Sequence, residues 1–251
     1  MPLTYLLAAV PHWFAVTDTT PAEILGSTSL RLDNAVGVIE ADLRIHEANK
    51  KVAVQEQFPG TRFPKTCHER HLQWDEHFCI GLEAGNGILS HDHAVVWWGL
   101  LERFLLLQRV AERTRRWPPQ QELAHGDAGP HQIAAIEAAK ELGLENEYME
   151  MLAGGTPWFS NSGLQINPRG KLKNGWLACP VGCQRNGRAI SRAACCRPAA
   201  VVKLITHERL RRQKTKEFYD SARASGQKCC GTMIACGLRD ISSSGVSISR
   251  I

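Results

Sequence analysis

The order of the predicted elements in the first half of the chain constrains the fold more than any single motif. Apolar and polar residues alternate over 36–45 and again over 52–58, and a short polar turn separates the two runs. This pattern predicts two antiparallel strands of a meander. A proline-punctuated turn at 58–64 opens an irregular segment that extends to residue 93, and the apolar face of 94–116 predicts a helix ended by Trp117 and two prolines. The chain is therefore expected to pass from sheet to helix through one long crossover.

The segment before these strands gives a weaker pattern. Residues 1–34 are ambiguous, although Thr20 followed by Pro21 could begin a short helix. The apolar patch near the N-terminus has no basic region before it and is interrupted at Pro11, so no signal peptide is predicted. No apolar run approaches the roughly 18 to 20 residues of a membrane span. We therefore expect a cytoplasmic protein without membrane association, in which cysteines are reduced thiols, metal ligands or catalysts.

Charge and cysteine content divide the chain into two parts. Helices are predicted at 131–142 and 145–152, and the Gly-rich stretch 153–157 predicts a domain boundary after them. The first 156 residues hold 13 Lys and Arg against 21 Asp and Glu, whereas the remainder holds 17 against 4. Seven of the nine cysteines also lie in the remainder. We expect one domain at 1–155 and a basic, cysteine-rich extension at 156–251, with a helix over 199–224.

Cys79 lies in the predicted crossover between Phe78 and Ile80, ahead of the helix in which Trp97 and Trp98 come early. This arrangement resembles the ubiquitin-conjugating (E2) fold, where a strand leads through a Pro-containing turn to a catalytic cysteine and then to a helix with an early Trp. It is closest to the divergent bacterial E2-like proteins of antiviral defence (CBASS-type) islands. That group is associated with a Cys-x-Glu-Arg-His stretch and a Phe-Cys-Leu-Gly-like nucleophile, and residues 67–71 and 78–81 are similar to them.

The resemblance covers about residues 30–155 and implies an α+β fold, with an antiparallel sheet and flanking helices. It also implies that Cys79 carries a protein C-terminus as a thioester and conjugates it to an amine. The implied partners are an E1-like activator and a carried protein, which in the bacterial group is a cGAS-like nucleotidyltransferase. The His-Pro-Asn segment of ordinary members is missing. His71 is our first candidate for oxyanion support or for shaping the loop, and Gln73 and His77 are also close in sequence.

Other interpretations of these residues remain open. A cysteine between Phe and Ile is also typical of a core, so the E2-like domain could be a non-catalytic scaffold. A Cys/His hydrolase would need one of His68, His71 or His77 beside Cys79. Residues 91–93 contain two histidines, but a helix start capped by Ser90 or Asp92 explains them better than a metal site. Cys67 is interpreted as structural.

The cysteine-rich extension predicts a structural zinc site, because a four-cysteine site accepts ligand pairs from two turns. The first candidates, Cys179, Cys183, Cys195 and Cys196, loosely resemble the SEC-C zinc motif. Three further thiols are Cys229, Cys230 and Cys236, with His207 as a conceivable fourth ligand; alternatively these thiols complete the first site. A second hypothesis is a zinc-dependent nucleic-acid-binding protein, in which a run of cations contacts phosphates: Arg209, Arg211, Arg212, Lys214 and Lys216.

Overall fold

The computed structural model describes residues 2–31, 37–48, 51–118, 121, 123–155, 166–167, 169, 171–179 and 182–239. Its elements, in chain order, are α1 (Pro2–Ala8), β1 (Phe14–Thr19), β2 (Glu23–Arg31), β3 (Val38–Ala48), β4 (Lys51–Glu56), a 3-10 turn (His68–Arg70), α2 (His91–Thr114), α3 (Ala128–Leu142), α4 (Glu145–Leu152), β5 (Gln184–Arg185), β6 (Arg188–Ala189), a second 3-10 turn (Arg192–Ala194) and α5 (Pro198–Ala224).

The chain divides into two compact units. The first comprises Met1–Pro118 together with Gly226–Ile251, and the second comprises Pro119–Ser225. The boundary expected near residue 155 therefore falls inside the second unit, where α3 packs against both α4 and α5. The end of the chain returns to the first unit, which no local sequence pattern indicates.

The first unit is built on a four-stranded antiparallel sheet in the order β1-β2-β3-β4. The mixed α/β architecture, with its antiparallel meander and flanking helices, confirms the expected E2-like fold class, and two strands precede the two that were predicted. The suggestion that a short helix could begin at Thr20 is wrong. The Thr20 hydroxyl instead accepts hydrogen bonds from the N–H groups of Ala22 (3.3 Å) and Glu23 (3.2 Å), which closes the turn between β1 and β2.

Helix α2 packs against this sheet through its aromatic and aliphatic face. Trp97 and Trp98 are both buried, and the indole N–H of Trp98 donates to the carbonyl of Leu6 in α1 at 3.0 Å. The Ser90 hydroxyl accepts the N–H of His93 at 3.2 Å and caps the helix, as predicted. The helix therefore begins at His91, three residues earlier than its apolar pattern indicated, and both histidines lie in its first turn.

In the part of the second unit that the structure describes, α3, α4 and α5 enclose a buried polar contact. The predicted helix over 199–224 is confirmed as α5, and Gly143 ends α3 in a left-handed conformation (φ 73°). Tyr148 of α4 is fully buried, and its hydroxyl donates to the Glu208 carboxylate of α5 at 2.8 Å. Glu208 in turn accepts hydrogen bonds from Arg211 at 2.8 and 2.9 Å. The buried carboxylate is thus compensated within the unit.

Candidate functional site

A buried carboxylate organises the proline-punctuated turn after β4. Glu56 is 4% exposed, and its two oxygens accept backbone N–H groups from Gly60 (3.0 Å), Arg62 (2.6 Å) and Phe63 (3.3 Å). Bonds to an ionised acceptor are stronger than bonds between neutral groups, so one side chain holds the turn in a single shape. The turn then delivers the chain to the crossover, with Phe63 buried in the core.

The crossover forms a short ladder of backbone hydrogen bonds that runs beside the edge strand β4. Cys67 and Leu72 exchange two backbone hydrogen bonds, of 2.9 and 3.0 Å, and Leu72 also bridges to Phe78. The Phe78 N–H donates to the carbonyl of Val54 at 2.8 Å. Farther along, the Gly85 carbonyl accepts from β4 at 2.9 Å. Cys79 therefore lies between two residues, Phe78 and Gly85, whose backbones are hydrogen-bonded to β4.

A buried arginine fastens the same crossover to helix α2. Arg70 is 4% exposed, and its Nε donates to the side-chain oxygen of Gln108 at 2.8 Å. Gln108, which is completely buried, donates its amide back to the Arg70 carbonyl at 2.6 Å. This reciprocal pair fixes the loop against the helix and compensates the burial of both polar groups.

Cys79 is a half-buried thiol at the end of the bridge with Leu72 and Phe78. Its own N–H donates to the carbonyl of His71 at 2.8 Å, which fixes the backbone at this position. Burial raises the pKa of the Cys79 thiol, whereas hydrogen bonds from the Gln73 side chain and from the backbone N–H of Gly81 oppose that rise. Both interactions favour the thiolate over the neutral thiol.

His71 is placed beside Cys79 along the backbone and is deeply buried. It adopts a left-handed conformation (φ 55°), ends the first 3-10 turn, and packs its ring against Trp117 with centroids 4.9 Å apart. Burial lowers the pKa of His71 to about 4, so its imidazole is neutral at physiological pH. The two roles predicted for His71, oxyanion support and shaping of the loop, stay predictions, and Gln73 is the side chain whose hydrogen bond lowers the pKa of Cys79.

A histidine pair lies near the nucleophile but is engaged elsewhere. The His77 Nδ1 lies 2.9 Å from the Asp75 carboxylate, and its Nε2 lies 3.2 Å from Nε2 of His46. The hydrolase alternative requires a histidine bonded to Cys79 and oriented by a third group. His77 has the orienting carboxylate, but its second nitrogen faces His46. This geometry gives the hydrolase alternative no support.

The seven cysteines proposed as metal ligands separate into two groups. In the second unit, the Cys183 thiol interacts with those of Cys179 and Cys196, and pairing with Cys179 raises its pKa to about 11. The fourth member, Cys195, interacts with Cys196. The β5–β6 hairpin brings these positions together, because Ile190 accepts from the Cys179 N–H at 2.7 Å and donates to the Cys183 carbonyl at 3.0 Å.

The other three thiols belong to the first unit. Cys229 and Cys236 interact with each other, and Cys230 lies against Cys67, their chain segment having returned to the sheet domain. Among the described residues, no three His, Cys, Asp or Glu side chains are arranged as a metal centre. The cysteine-rich region is compatible with structural metal binding through its neighbouring thiols.

Most cations of the basic run in α5 are paired within the helix. Arg211 and Arg212 bond to Glu208, Lys214 bonds to Glu217 at 2.8 Å, and Lys216 pairs with Asp220. Surface pairs of this kind are weak, but each places an anion beside a cation that phosphate binding would use. The run therefore gives less support to nucleic-acid binding than its sequence indicates.

Comparison with known families divides the chain between residues 119 and 124, close to the boundary of the two units at Pro118 and Pro119. Residues 13–119 match the family model of the prokaryotic E2 domain, and residues 124–238 match the model of the cysteine-rich domain that lies C-terminal to the E2 domain. No curated protein and no solved structure matches the chain significantly. In the part of the chain that the structure describes, no helix combines the length and apolar character needed to cross a membrane.

Proposed function

Since the chain carries a prokaryotic E2 domain followed by a cysteine-rich C-terminal domain, we propose that Cys79 receives the C-terminal carbonyl of a protein as a thioester and passes it to an amine. The observation that carries this proposal is that the partly accessible Cys79 lies in the crossover of the E2 domain, where backbone hydrogen bonds of 2.8 Å from Phe78 to Val54 and from Cys79 to His71 hold it. Hydrogen bonds from Gln73 and Gly81 counter the rise in the Cys79 pKa that burial causes.

The chemistry requires few groups beyond these. The Cys79 thiolate attacks the carbonyl carbon of an upstream thioester, the new C–S bond forms, and the upstream thiolate leaves. An amine then attacks the Cys79 thioester, loses its proton to solvent, and expels the Cys79 thiolate. Each attack places negative charge on the carbonyl oxygen, and the donors near the sulfur are suited to stabilise it. His71, neutral and buried, acts in this proposal by holding the loop.

The resemblance of residues 67–71 and 78–81 to bacterial defence proteins suggests the carrier. We propose that the carried C-terminus belongs to a cGAS-like nucleotidyltransferase, that an E1-like enzyme supplies it, and that the conjugation serves anti-phage defence. The basic charge of the second unit does not enter this step, because most cations of its α5 run are paired with acidic side chains.

Trapping variants test the proposal. The full chain is co-expressed with the nucleotidyltransferase and the activating enzyme, and adducts are resolved with and without a thiol reductant. Wild type should give a reductant-sensitive adduct, Cys79→Ser a reductant-resistant ester, and Cys79→Ala none. Cys229→Ser, which alters a half-buried thiol outside both the crossover and the proposed zinc site, is the matched control and should resemble wild type. An adduct of equal yield on Cys79→Ala would refute the assignment.

We also propose that zinc is the structural metal of the cysteine-rich domain, held by Cys179, Cys183, Cys195 and Cys196. The support is that the Cys183 thiol interacts with those of Cys179 and Cys196, and the Cys195 thiol with that of Cys196, so that binding would need only a rearrangement of neighbouring side chains. Zinc prefers tetrahedral thiolate ligands, and such a site contributes directly to the stability of a small domain. Metal analysis of protein purified under reducing conditions should find zinc that Cys183→Ser loses and Cys79→Ser retains. Equal zinc in both variants, or none in wild type, would contradict this.

A further inference from the structure

Two cysteines that are far apart in sequence meet in the first unit. The sulfur atoms of Cys67 and Cys230 lie 2.7 Å apart, although 163 positions separate the residues. Cys67 is 4% exposed and begins the crossover ladder, whereas Cys230 is half-buried and belongs to the returning segment 226–239. Neither residue contributes to the thioester chemistry described above, so the contact requires its own explanation.

Noncovalent contacts of the residues that follow Cys230 hold the returning segment in place. The N–H of Ile234 donates to the carbonyl of Arg115 at 2.9 Å, and the Arg115 guanidinium donates to the carbonyl of Gly231 at 3.1 Å. Beyond them, Gly237 donates to the Glu69 carboxylate at 2.9 Å, and Met233 is 2% exposed in the core. The two sulfur atoms therefore meet because the reduced chain already docks this segment.

The two thiols differ in environment. Cys230 is partly accessible, and the Thr232 hydroxyl oxygen lies 3.0 Å from its sulfur. The Cys67 thiol, by contrast, is enclosed by the core. An accessible thiol in contact with a protected one is the arrangement of an attacking and a resolving cysteine.

The remaining thiols of the unit point to pairs rather than to a metal centre. Cys229 interacts with Cys236, and its sulfur also accepts the Gly231 N–H at 3.4 Å. Among the residues that the structure describes, these thiols do not converge in threes or fours. Direct contact between two sulfur atoms suits oxidation better than it suits shared coordination of an ion.

We propose that Cys67 and Cys230 form a redox-active dithiol pair, which a hydroperoxide oxidises to a disulfide that fastens segment 226–239 to the crossover. The Cys230 thiolate attacks the peroxide, cleaves its O–O bond and becomes a sulfenic acid, and the other oxygen leaves as hydroxide. The Cys67 thiol then attacks the sulfenic sulfur, the S–S bond forms, and water departs. Two thiols and one hydrogen peroxide thus give one disulfide and two waters.

The location of the pair gives the disulfide a structural consequence. Cys67 forms the first rung of the ladder with Leu72, and Leu72 bridges to Phe78, the residue before Cys79. A covalent bond at Cys67 therefore anchors the beginning of the ladder whose far end bears the nucleophile. The pair stands independently of the proposed transfer reaction, because its formation uses neither Cys79 nor Gln73.

The test is mild peroxide treatment of the reduced full chain, followed by peptide mapping without reductant. We expect a linked pair of peptides containing Cys67 and Cys230, loss of two free thiols per chain, and full reversal by dithiothreitol. Cys230→Ser should abolish the link. Cys229→Ser, at the adjacent half-buried cysteine, is the matched control and should retain it. In Cys67→Ala, Cys230 should remain as a sulfenic acid that dimedone captures.

Three outcomes would overturn the proposal. The first is that Cys230 links to Cys229 or Cys236 instead of Cys67. The second is that both members stay reduced under peroxide that oxidises Cys79. The third is that the pair reacts only after a chelator removes a bound metal, which would identify these thiols as ligands. Thermal melting of each variant under reducing conditions shows that folding is retained, so a missing link can be assigned to chemistry.

Discussion

Removal of the Gln73 amide should raise the pKa of the Cys79 thiol and slow its reactions as a nucleophile. Gln73 is held by a turn in which its N–H donates to the carbonyl of His77 at 2.9 Å, and its side chain bonds to the Cys79 sulfur. A hydrogen bond to a charged group contributes about 1.5–3 kcal/mol, and partial exposure favours the lower end of that range. Since one pKa unit corresponds to about 1.4 kcal/mol, Gln73→Ala should raise the Cys79 pKa by about one unit.

The measurement is the pH dependence of alkylation at Cys79 by iodoacetamide, followed by peptide mapping to separate it from the other thiols. Below the pKa of the thiol, Gln73→Ala should react about tenfold more slowly than wild type, because the thiolate fraction falls tenfold for each unit. Gln213→Ala removes an exposed glutamine of α5 and should change nothing. A pKa within about 0.3 units of wild type in Gln73→Ala would refute the role of this donor.

Three further predictions concern the supports of the site. Glu56→Gln should lower the free energy of unfolding by about 2–4 kcal/mol, because an amide replaces a carboxylate that accepts three N–H groups. The control Glu40→Gln alters an exposed carboxylate and should have little effect. Equal denaturation midpoints of the two variants would contradict this. His71 has a folded pKa of about 4 against 6.5 when unfolded, so the unfolded state binds more protons between these values. The stability that depends on a neutral His71, up to about 3 kcal/mol, is fully present above pH 6.5 and is lost as the pH falls towards 4. His71→Asn keeps the left-handed backbone and should reduce the fall of the free energy of unfolding with falling pH, as measured by denaturant titrations. An unchanged pH dependence would contradict this. Gly85→Ala should destabilise the protein and slow alkylation of Cys79, because a Cβ at residue 85 would lie 2.1 Å from a backbone oxygen of β4. The control Gly99→Ala, on α2, places its Cβ in open space. Equal melting temperatures of the two variants would contradict this.

The sequence pattern was sufficient to predict helices α2 to α5 and the last two strands of the sheet, but not helix α1. It failed for β2, where the core-facing positions are Ile24, Gly26, Thr28 and Leu30. Gly26 is small because the Phe14 ring lies over it, and the hydroxyl of buried Thr28 donates to the carbonyl of Ile39 at 3.0 Å. Residues that are buried for close approach or for a hydrogen bond do not produce an apolar alternation.

The candidate site also depends on contacts that the sequence pattern does not indicate. Cys79 could be predicted because it lies between a recognisable turn and a recognisable helix. The choice between His71 and Gln73 depends on the left-handed turn at His71, which buries its ring beside Trp117 and leaves Gln73 to reach the sulfur. The contact between Cys67 and Cys230 depends on the return of the chain to the first unit and has no local signature at all.

The most direct test of the central claim is intact-protein and peptide mass spectrometry of the wild-type chain after incubation with ATP, the activating enzyme and the carrier protein. We predict an adduct heavier than the chain by the carrier less one water, mapped to Cys79 and released by a thiol reductant. Attachment only at lysines in the first minutes, or an adduct located on any cysteine other than Cys79, would contradict the account.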